Sequence, residues 1–347
     1  METILFLVHT ETDGTLAKPA LEIVTVACKL AQELQASLIA GLVGETVQMA
    51  VNQIAACGAS RFLGVSGPDF SQSRYATDVA AAEAICRGIQ PTLVIVPGTS
   101  RLMRVLAGVA HRLSGGVDTH VTSISFSNAT LSVSRWYYRQ RMEGILQRTE
   151  RPWFIALDSG CHEPYRGESG EAQLEVVPVE VQDIWRRTTV TGLQAPPADE
   201  QTIRPDAELL FVAGAGWTKK QPDGNVHVVE AQRIILDFLR SSQASLGGSK
   251  SLVDQSGEGQ AVLPFMTHLN QIGQTGATPR HPKGLSTCCH GEEPHVVGWR
   301  FINERRAINL DPNCGWARGK ADVLYVANAF EVMEKVNSLL AQRNKSD

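Results

Sequence analysis

The stretch PTLVIVPGTSRLMRVLAGVAHRLSGG, residues 91–116, contains the strand-then-helix pattern that decides the fold of this chain. Its first part, PTLVIVPGT, holds a continuous apolar run, which is typical of a strand buried on both faces of a sheet. Its second part, RLMRVLAGVAHRLSGG, has apolar residues at helical spacing and ends in glycines, a common stop signal for a helix. Repetition of this unit along the chain predicts a parallel sheet built from βαβ crossovers.

The same alternation extends from residue 91 back to the N-terminus. Strand-like runs (ILFLVHT, ASLIAGLVG, RFLGVSG) alternate with helix-like segments (ALEIVTVACKLAQEL, MAVNQIAACGA, YATDVAAAEAICRGI). Right-handed crossovers of this kind cover both faces of a sheet. From about residue 121 the segments VTSISFSNATLSVSRWYYRQ, RPWFIALDS and LEVVPVEV resemble strands without intervening helices, so we expect an antiparallel or mixed edge.

A polar segment, TGLQAPPADEQTIRPD at residues 191–206, divides the chain. It holds three prolines and shows no apolar period, which is typical of a linker. Beyond it the pattern restarts with AELLFVAGAGW and ends with ADVLYVAN and the helix AFEVMEKVNSLLAQ, which Asn328 is placed to cap. We therefore predict two α/β domains, residues 1–190 and 205–347, with a linker at 191–204.

Composition excludes several classes of protein. The 347 residues carry a formal net charge of −4, which gives no basic footprint for nucleic acid. No apolar run approaches the ~20 residues that span a bilayer, so we expect no membrane insertion. The start METILFLVHT has an acidic second residue and enters a strand, unlike a signal or transit peptide. Seven scattered cysteines argue against a disulfide framework and favour a reducing, cytoplasmic location.

The segment GQTGATPRHPKGLSTCCHGEEPH, residues 273–295, concentrates chemically active side chains. Cys288, Cys289, His290 and His295 are possible metal ligands. Adjacent cysteines rarely coordinate one ion, however, and no CxxC or HxxxH pair completes a zinc pattern. We therefore predict no metal site.

Glycine turns recur in the second half of the chain. VAGAGW (212–217) holds only the GxG half of the dinucleotide fingerprint, while LGGSKS (246–251) and GQTG (273–276) combine glycines with hydroxyl, amide or cationic groups. AINLDP (307–312) is a strand that ends by presenting Asn309 and Asp311. Each segment alone fits an ordinary turn. Their order, with a histidine loop before the last strand, matches the contacts that surround an extended dinucleotide.

The series LGGSKSLVD, NQIGQTG, HGEEPH, AINLDP and ADVLYVANAFEV resembles the C-terminal, FAD-carrying domain of the electron transfer flavoprotein alpha subunit. That family typically shows a GASR…D turn, a VGQTG turn, an SGAIQH loop, an AIN.DP strand and an ADYG…DLFEV ending. The spacing agrees without gaps from Gln274 through His295 to Asn309, and one extra residue precedes Asp322. The first domain resembles the family more loosely, in its strand–helix order, in HRLSGGVDTHVTSI and in the following strand with Arg135.

The resemblance implies a fold and a role for each matched residue. The N-terminal domain would be a nucleotide-alpha-hydrolase-like parallel sheet, and the C-terminal domain a Rossmann-like FAD-binding domain. Gln274 and Thr275 would lie at the flavin ring, with Thr275 near N5 and His295 near the C2 carbonyl. Ser249 would touch the pyrophosphate, and Lys250 would replace a family arginine over the isoalloxazine. Asn309 and Asp322 would face the adenine end. The implied cofactor-binding residues are Ser249, Lys250, Gln274, Thr275, Gly276, Gly291, His295, Asn309 and Asp322.

Three departures from the family pattern bear on cofactor binding. Ala215 stands where the family has an arginine, and Lys250 keeps a charge but loses the planar guanidinium fork. Glu292 and Glu293 enter a loop whose backbone amides should face phosphate. Two carboxylates would repel a pyrophosphate there unless they pointed to water or paired with a cation. Loss of FAD therefore stays open.

The resemblance implies an electron carrier that takes electrons from a dehydrogenase and passes them to a respiratory-chain acceptor such as a quinone-linked oxidoreductase. It also implies an obligate beta subunit beside the flavin ring. The flavin would perform the redox chemistry while the protein binds and orients it. No substrate-processing acid–base pair or nucleophile elbow is present. Two alternatives remain, a cofactor-poor assembly subunit and an ATP-pyrophosphatase-like nucleotide-binding enzyme, although the chain has neither GxxxxGK[ST] nor an early SGGxDS turn.

Overall fold

A computed structural model gives the structure of this chain as two compact units, Met1–Leu193 and Gln194–Asp347. The residues it describes are 2–138, 142–192, 204, 207–254, 262–273, 280–288, 302–314 and 321–343. Each unit contains its own β-sheet with helices, which confirms the predicted α/β class. None of the helices described combines the length and the apolar content that a membrane crossing requires.

The N-terminal unit is built on a nine-stranded sheet with the order β7-β6-β5-β8-β4-β1-β2-β3-β9 over the residues described. Its strands are β1 (Thr3–His9), β2 (Ser37–Gly44), β3 (Arg61–Ser66), β4 (Leu93–Pro97), β5 (Gly116–Ser127), β6 (Thr130–Tyr137), β7 (Met142–Leu146), β8 (Trp153–Leu157) and β9 (Leu174–Val176). Its helices are α1 (Lys18–Leu34), α2 (Gln48–Gln53), α3 (Tyr75–Ile89) and α4 (Ser100–Arg112). The strands β5-β8-β4-β1-β2-β3-β9 pair in parallel, whereas β6 pairs antiparallel with both β5 and β7. The predicted mixed edge is confirmed.

The central strand β1 shows why a continuous apolar run becomes a buried strand. Ile4, Phe6 and Val8 pack on one face of the sheet in the cluster that includes α1. Leu5 and Leu7 pack on the other face, in the cluster that includes α3 and α4. Successive side chains of a strand point to opposite faces, so a strand covered on both sides must be apolar at every position.

Some local features differ from the predicted pattern. The helix predicted over MAVNQIAACGA is the short α2, because the chain leaves the helix after Gln53 and reaches a left-handed turn at Gly58, with φ +81°. The hairpin between β5 and β6 turns at Asn128 and Ala129, which have φ values of 51° and 59°. Positive φ at both turn residues matches the right-handed twist of the flanking strands.

The C-terminal unit contains a five-stranded sheet with the order β11-β10-β12-β13-β14, in which every neighbouring pair described is parallel. Its strands are β10 (Leu209–Ala213), β11 (Ser245–Gly248), β12 (Lys283–Thr287), β13 (Glu304–Asn309) and β14 (Val323–Val326). Its helices are α5 (Val228–Ser242), the one-turn α6 (Lys250–Asp254) and α7 (Ala329–Arg343). Counted along the chain, this is the doubly wound order 2-1-3-4-5, whose direction reverses between β10 and β12.

Helix α7 packs beside α5 over the sheet of the C-terminal unit. Phe330 and Met333 are buried, and the Phe330 ring lies 4.6 Å, centroid to centroid, from the buried Trp217. The Asn328 side chain accepts a hydrogen bond from the Phe330 amide at 2.9 Å, so it caps α7 as its position before the helix predicted.

A buried ion pair holds α3 and α4 together on one face of the N-terminal sheet. Arg101, on α4, donates from Nε and Nη2 to the Asp78 carboxylate of α3 at 3.0 and 2.6 Å. Arg101 Nη2 also donates to the Phe70 carbonyl at 2.7 Å. Both charged side chains are nearly inaccessible to solvent. Removing the cation would therefore leave an uncompensated carboxylate inside the protein.

We expect Arg101→Ala to lower the free energy of unfolding of the N-terminal unit by about 3–5 kcal/mol, because Asp78 then stays buried without its partner. Urea denaturation followed by circular dichroism measures this change. Arg104→Ala, one turn away on the exposed face of α4, is the matched control and should change stability by less than about 0.5 kcal/mol. Equal stability losses in the two variants would contradict a specific role for the buried pair.

Candidate functional site

The carboxyl ends of the parallel strands in the C-terminal unit surround a cavity of about 180 Å³. Its walls include Gly216, Lys219, Lys220, Asn309, Asn328 and Ala329. These residues follow β10, end β13, or connect β14 to α7. In open α/β sheets ligands bind at this edge, in the crevice near the point where the strand order reverses.

The turn after β10 brings two lysines to this cavity. Its amides at Gly214 and Gly216 donate to the carbonyls of Thr287 and Cys288 at 2.8 and 3.1 Å. A Cβ on Gly216 would lie only 2.8 Å from the Cys288 Cβ, so the close approach of the turn to the end of β12 requires glycine. A four-residue 3-10 helix follows, and α5 begins only at Val228, so this GxG does not open an α-helix as the dinucleotide fingerprint does.

The cavity wall is electrically positive. Lys219 and Lys220 both line it, and neither forms an ion pair with any other residue that the structure describes. The N-terminus of α7 opens at the same wall through Asn328 and Ala329, and a helix N-terminus carries a partial positive charge. Two ammonium groups and a helix N-terminus together favour an anionic ligand such as a phosphate group.

Lys219 and Lys220 were missed by the sequence reasoning. In the sequence, Lys219 and Lys220 form an adjacent pair of cations after a strand and a glycine turn, which can indicate a phosphate site. The same pattern is equally typical of a solvated loop. Asn328 was identified only as a helix cap, although its position after β14 also places it at the carboxyl edge of the sheet.

Ser249 and Lys250 lie directly after β11, at the same edge of the sheet. Ser249 is buried, and its hydroxyl accepts from the Leu252 amide at 3.2 Å, so it caps the short helix α6. Lys250 forms an ion pair with Asp254, which also lies 3.1 Å from Nε2 of His268. The Lys250 ammonium group lowers the pKa of Asp254 below its usual range, and His268 makes a smaller contribution in the same direction.

Asn309 is the last residue of β13 and lines the cavity. Its side-chain oxygen accepts from the Asp311 amide at 3.0 Å, and its carbonyl accepts from the Ala327 amide at 3.2 Å. The first contact shapes the turn after β13, and the second ties that turn to the end of β14. Ser249 and Asn309 are therefore brought to one edge of the sheet.

Asp322 lies elsewhere. It precedes β14 and therefore sits at the amino edge, where its carboxylate accepts from the Arg305 backbone amide at 2.6 Å and from Arg305 Nη2 at 3.1 Å. These contacts, with the backbone hydrogen bond the larger, lower the pKa of Asp322. Because all strands of the sheet are parallel, this edge is opposite the one that holds Ser249 and Asn309. The structure therefore does not bring Asp322 together with them, and we leave it out of the site proposed below.

The remaining predicted cofactor-binding residues lie outside the described residues. They are Gln274, Thr275, Gly276, Gly291 and His295, and Glu292 and Glu293 also lie outside that range. Ala215, which stands in place of a family arginine, is buried in the 3-10 helix after β10. In the part of the chain that is described, no group of three histidine, cysteine, aspartate or glutamate side chains is placed to hold a metal ion.

Comparison with models of protein families identifies a domain in this chain. The family model described as "electron transfer flavoprotein domain" matches residues 4–184, more than half of the 347 residues. The matched range begins in β1 and ends after β9, so it lies within the N-terminal unit. No curated protein matches the chain.

We expect Lys250→Met to raise the pKa of Asp254 toward the ordinary aspartate value, because the substitution removes the cation that stabilises the carboxylate. A depressed pKa stabilises the folded protein above the ordinary aspartate pKa, and this stabilisation is lost as the pH falls through the folded-state pKa. A carbon-detected NMR titration of the Asp254 carboxyl group measures the shift. Lys335→Met, at an exposed position of α7, is the control and should leave the titration unchanged. An unshifted Asp254 in Lys250→Met would mean that the ion pair does not form in solution.

Proposed function

Because this chain belongs to the electron transfer flavoprotein family, we propose that it is the alpha subunit of such a carrier and holds FAD in its C-terminal unit. The carrier takes electrons from a donor dehydrogenase and delivers them to a quinone-linked acceptor oxidoreductase of the respiratory chain. A beta subunit completes it. The family match supports the carrier class, and the geometry of the C-terminal unit supports the place of the cofactor.

The observation that carries the proposal is the positive cavity at the carboxyl edge of the C-terminal sheet. It combines Lys219, Lys220 and the N-terminus of α7, the groups that a phosphate-bearing ligand requires. Gly216 keeps the wall free of a side chain at the closest approach of the turn to β12. The residues present therefore fit the phosphate-bearing part of a dinucleotide.

The length of the edge also fits a ligand longer than a mononucleotide. A cavity of about 180 Å³ is smaller than the roughly 300–1,000 Å³ of pockets that enclose a drug-sized ligand. Ser249 follows β11 and Asn309 ends β13, so three strand spacings separate them, about 14 Å at roughly 4.8 Å per spacing. An extended ligand anchored in the cavity would continue along this edge toward Ser249.

When bound, the flavin would supply the redox chemistry. The described residues of this chain serve to bind and orient. Lys219 and Lys220 offset the charge of the phosphates, and the α7 N-terminus fixes an anionic group at the end of β14. Asn309 holds the turn that forms one wall of the cavity. Lys250 is paired with Asp254, which also contacts His268. A ligand nearby would therefore meet the combined charge of these three side chains and not an isolated cation.

The N-terminal unit offers a surface for the beta subunit at the β7 edge of its sheet. Strand β7 pairs with β6 alone among the described strands, so its outer backbone groups are open for pairing. Met142 and Ile145 on β7 and Tyr138 beside it are exposed. An open edge strand with exposed apolar side chains is typical of a surface that a partner covers.

We expect the double substitution Lys219→Met and Lys220→Met to weaken FAD binding by about ten- to a hundredfold, because two cations near phosphate are removed. The measurement is flavin affinity of the complex co-expressed with its beta subunit, by fluorescence titration after removal and return of FAD. Lys335→Met, which removes one exposed cation that does not line the cavity, is the control and should bind FAD like the parent. Normal FAD binding by the double variant would contradict the claim that this cavity binds the FAD phosphates. A parent complex that takes up no FAD would favour the cofactor-poor assembly subunit instead.

We expect Ile145→Glu to weaken association with the beta subunit about tenfold or more, because the substitution places a charge in an apolar contact that excludes water. Analytical ultracentrifugation of the two purified subunits measures the dissociation constant. Ile145 is 70% exposed, and the 83% exposed Val229 on α5 provides a matched control as Val229→Glu. Weakening by both variants, or by neither, would contradict an interface at β7.

A further inference from the structure

Two cysteines from separate elements of the N-terminal unit meet beside α1. Cys28 lies on α1, and Cys57 lies between α2 and β3, 29 positions further along the chain. The Cys28 thiol donates a hydrogen bond to the Cys57 carbonyl oxygen at 2.9 Å, so the two cysteines lie side by side. Both are free thiols in the structure.

We propose that Cys28 and Cys57 are a site of reversible oxidation, at which hydrogen peroxide converts the two thiols into an intramolecular disulfide. Cys57 is the thiol that reacts with peroxide, and Cys28 is the thiol that resolves the oxidised intermediate. The proposal concerns the N-terminal unit alone and does not depend on the proposed electron-transfer function.

The surroundings of the two sulfurs distinguish their roles. The neighbouring Cys28 side chain lowers the pKa of Cys57 to about 7 against the opposing effect of burial, and the backbone amide of Ala59 contributes in the same direction as Cys28. The left-handed turn at Gly58 lies between Cys57 and that amide. Cys28 shows the reverse effect, since the neighbouring Cys57 side chain and burial raise its pKa. Cys57 is therefore the thiolate of the pair, and the thiolate is the nucleophile in thiol chemistry.

The reaction balances with one peroxide molecule. The Cys57 thiolate attacks one peroxide oxygen, the O–O bond breaks, and the products are a Cys57 sulfenic acid and hydroxide, which takes up a proton to become water. The Cys28 sulfur then loses its proton and attacks the Cys57 sulfur. The S–O bond breaks, the S–S bond forms, and a second water leaves. The two thiols lose two electrons, and the peroxide is reduced to two waters.

Cys86 provides a matched contrast in the same unit. It is buried on α3, where burial and the nearby Glu83 carboxylate raise its pKa to about 12. It should therefore stay a thiol under peroxide concentrations that oxidise Cys57.

The test exposes the native full chain to increasing hydrogen peroxide, blocks the remaining thiols under denaturing conditions, and maps the digest by mass spectrometry. We expect a cross-linked peptide pair that weighs about 2 Da less than the sum of its two free-thiol peptides, the mass of the two hydrogens removed when a disulfide forms. The cross-linked peptide pair should contain Cys28 and Cys57 and should disappear after treatment with dithiothreitol. Cys86→Ser should form the same cross-link as the parent.

Single variants test the assigned order. In Cys28→Ser we expect Cys57 to accumulate as a sulfenic acid that dimedone traps, because the resolving thiol is absent. In Cys57→Ser we expect Cys28 to remain reduced at the same peroxide concentration. If either variant fails to fold, the peptide map of the parent decides the matter by itself. A parent chain without a Cys28–Cys57 cross-link, or with cross-links only between other cysteines, would overturn the proposal.

Discussion

Parallel pairing in the C-terminal unit is the constraint on which the candidate site depends. The register aligns Ala213 with Gly248 and Thr287, and Thr287 with Ile308, so the strands end at nearly the same level. The chain must leave the sheet at this edge after every strand and return to the opposite edge through a crossover. Residues that are distant in sequence, such as Ser249 and Asn309, therefore meet at one edge without any direct sequence relation. The cavity forms there because the turns after β10, β12 and β13 and the start of α7 converge on it.

Charged side chains are arranged differently at the two edges of this sheet. At the carboxyl edge, Lys219 and Lys220 face a cavity together with the α7 N-terminus. At the amino edge, Arg305 and Asp322 form an ion pair with each other. A cation already paired with a carboxylate offers a phosphate little attraction, whereas two ammonium groups beside a helix N-terminus attract it. The arrangement therefore makes the carboxyl edge of the C-terminal sheet suited to an anionic ligand.

The sequence was most informative where periodicity alone decides the structure. Helix α3 spans the predicted segment, and β1 is buried on both faces as its apolar run indicated. Helix α2 is shorter than predicted because apolar spacing does not show where the chain turns before Gly58. Features that depend on tertiary contact could not be predicted. Motif counting matched Asp322 to a family pattern without showing which end of the strand it occupies, and nothing in the sequence pairs Cys28 with Cys57 across 29 positions.

Membership of the electron transfer flavoprotein family rests on the N-terminal unit, whereas the proposed cofactor position rests on the geometry of the C-terminal unit. A crystal structure of the chain bound to its beta subunit and FAD tests the family assignment and the proposed cofactor position together. We expect electron density for the FAD phosphates at the carboxyl edge, with a phosphate oxygen within about 4 Å of Lys219 or Lys220, the range of an ion pair. Phosphate density at the amino edge beside Asp322, or a C-terminal unit without FAD in the complex, would contradict the assignment.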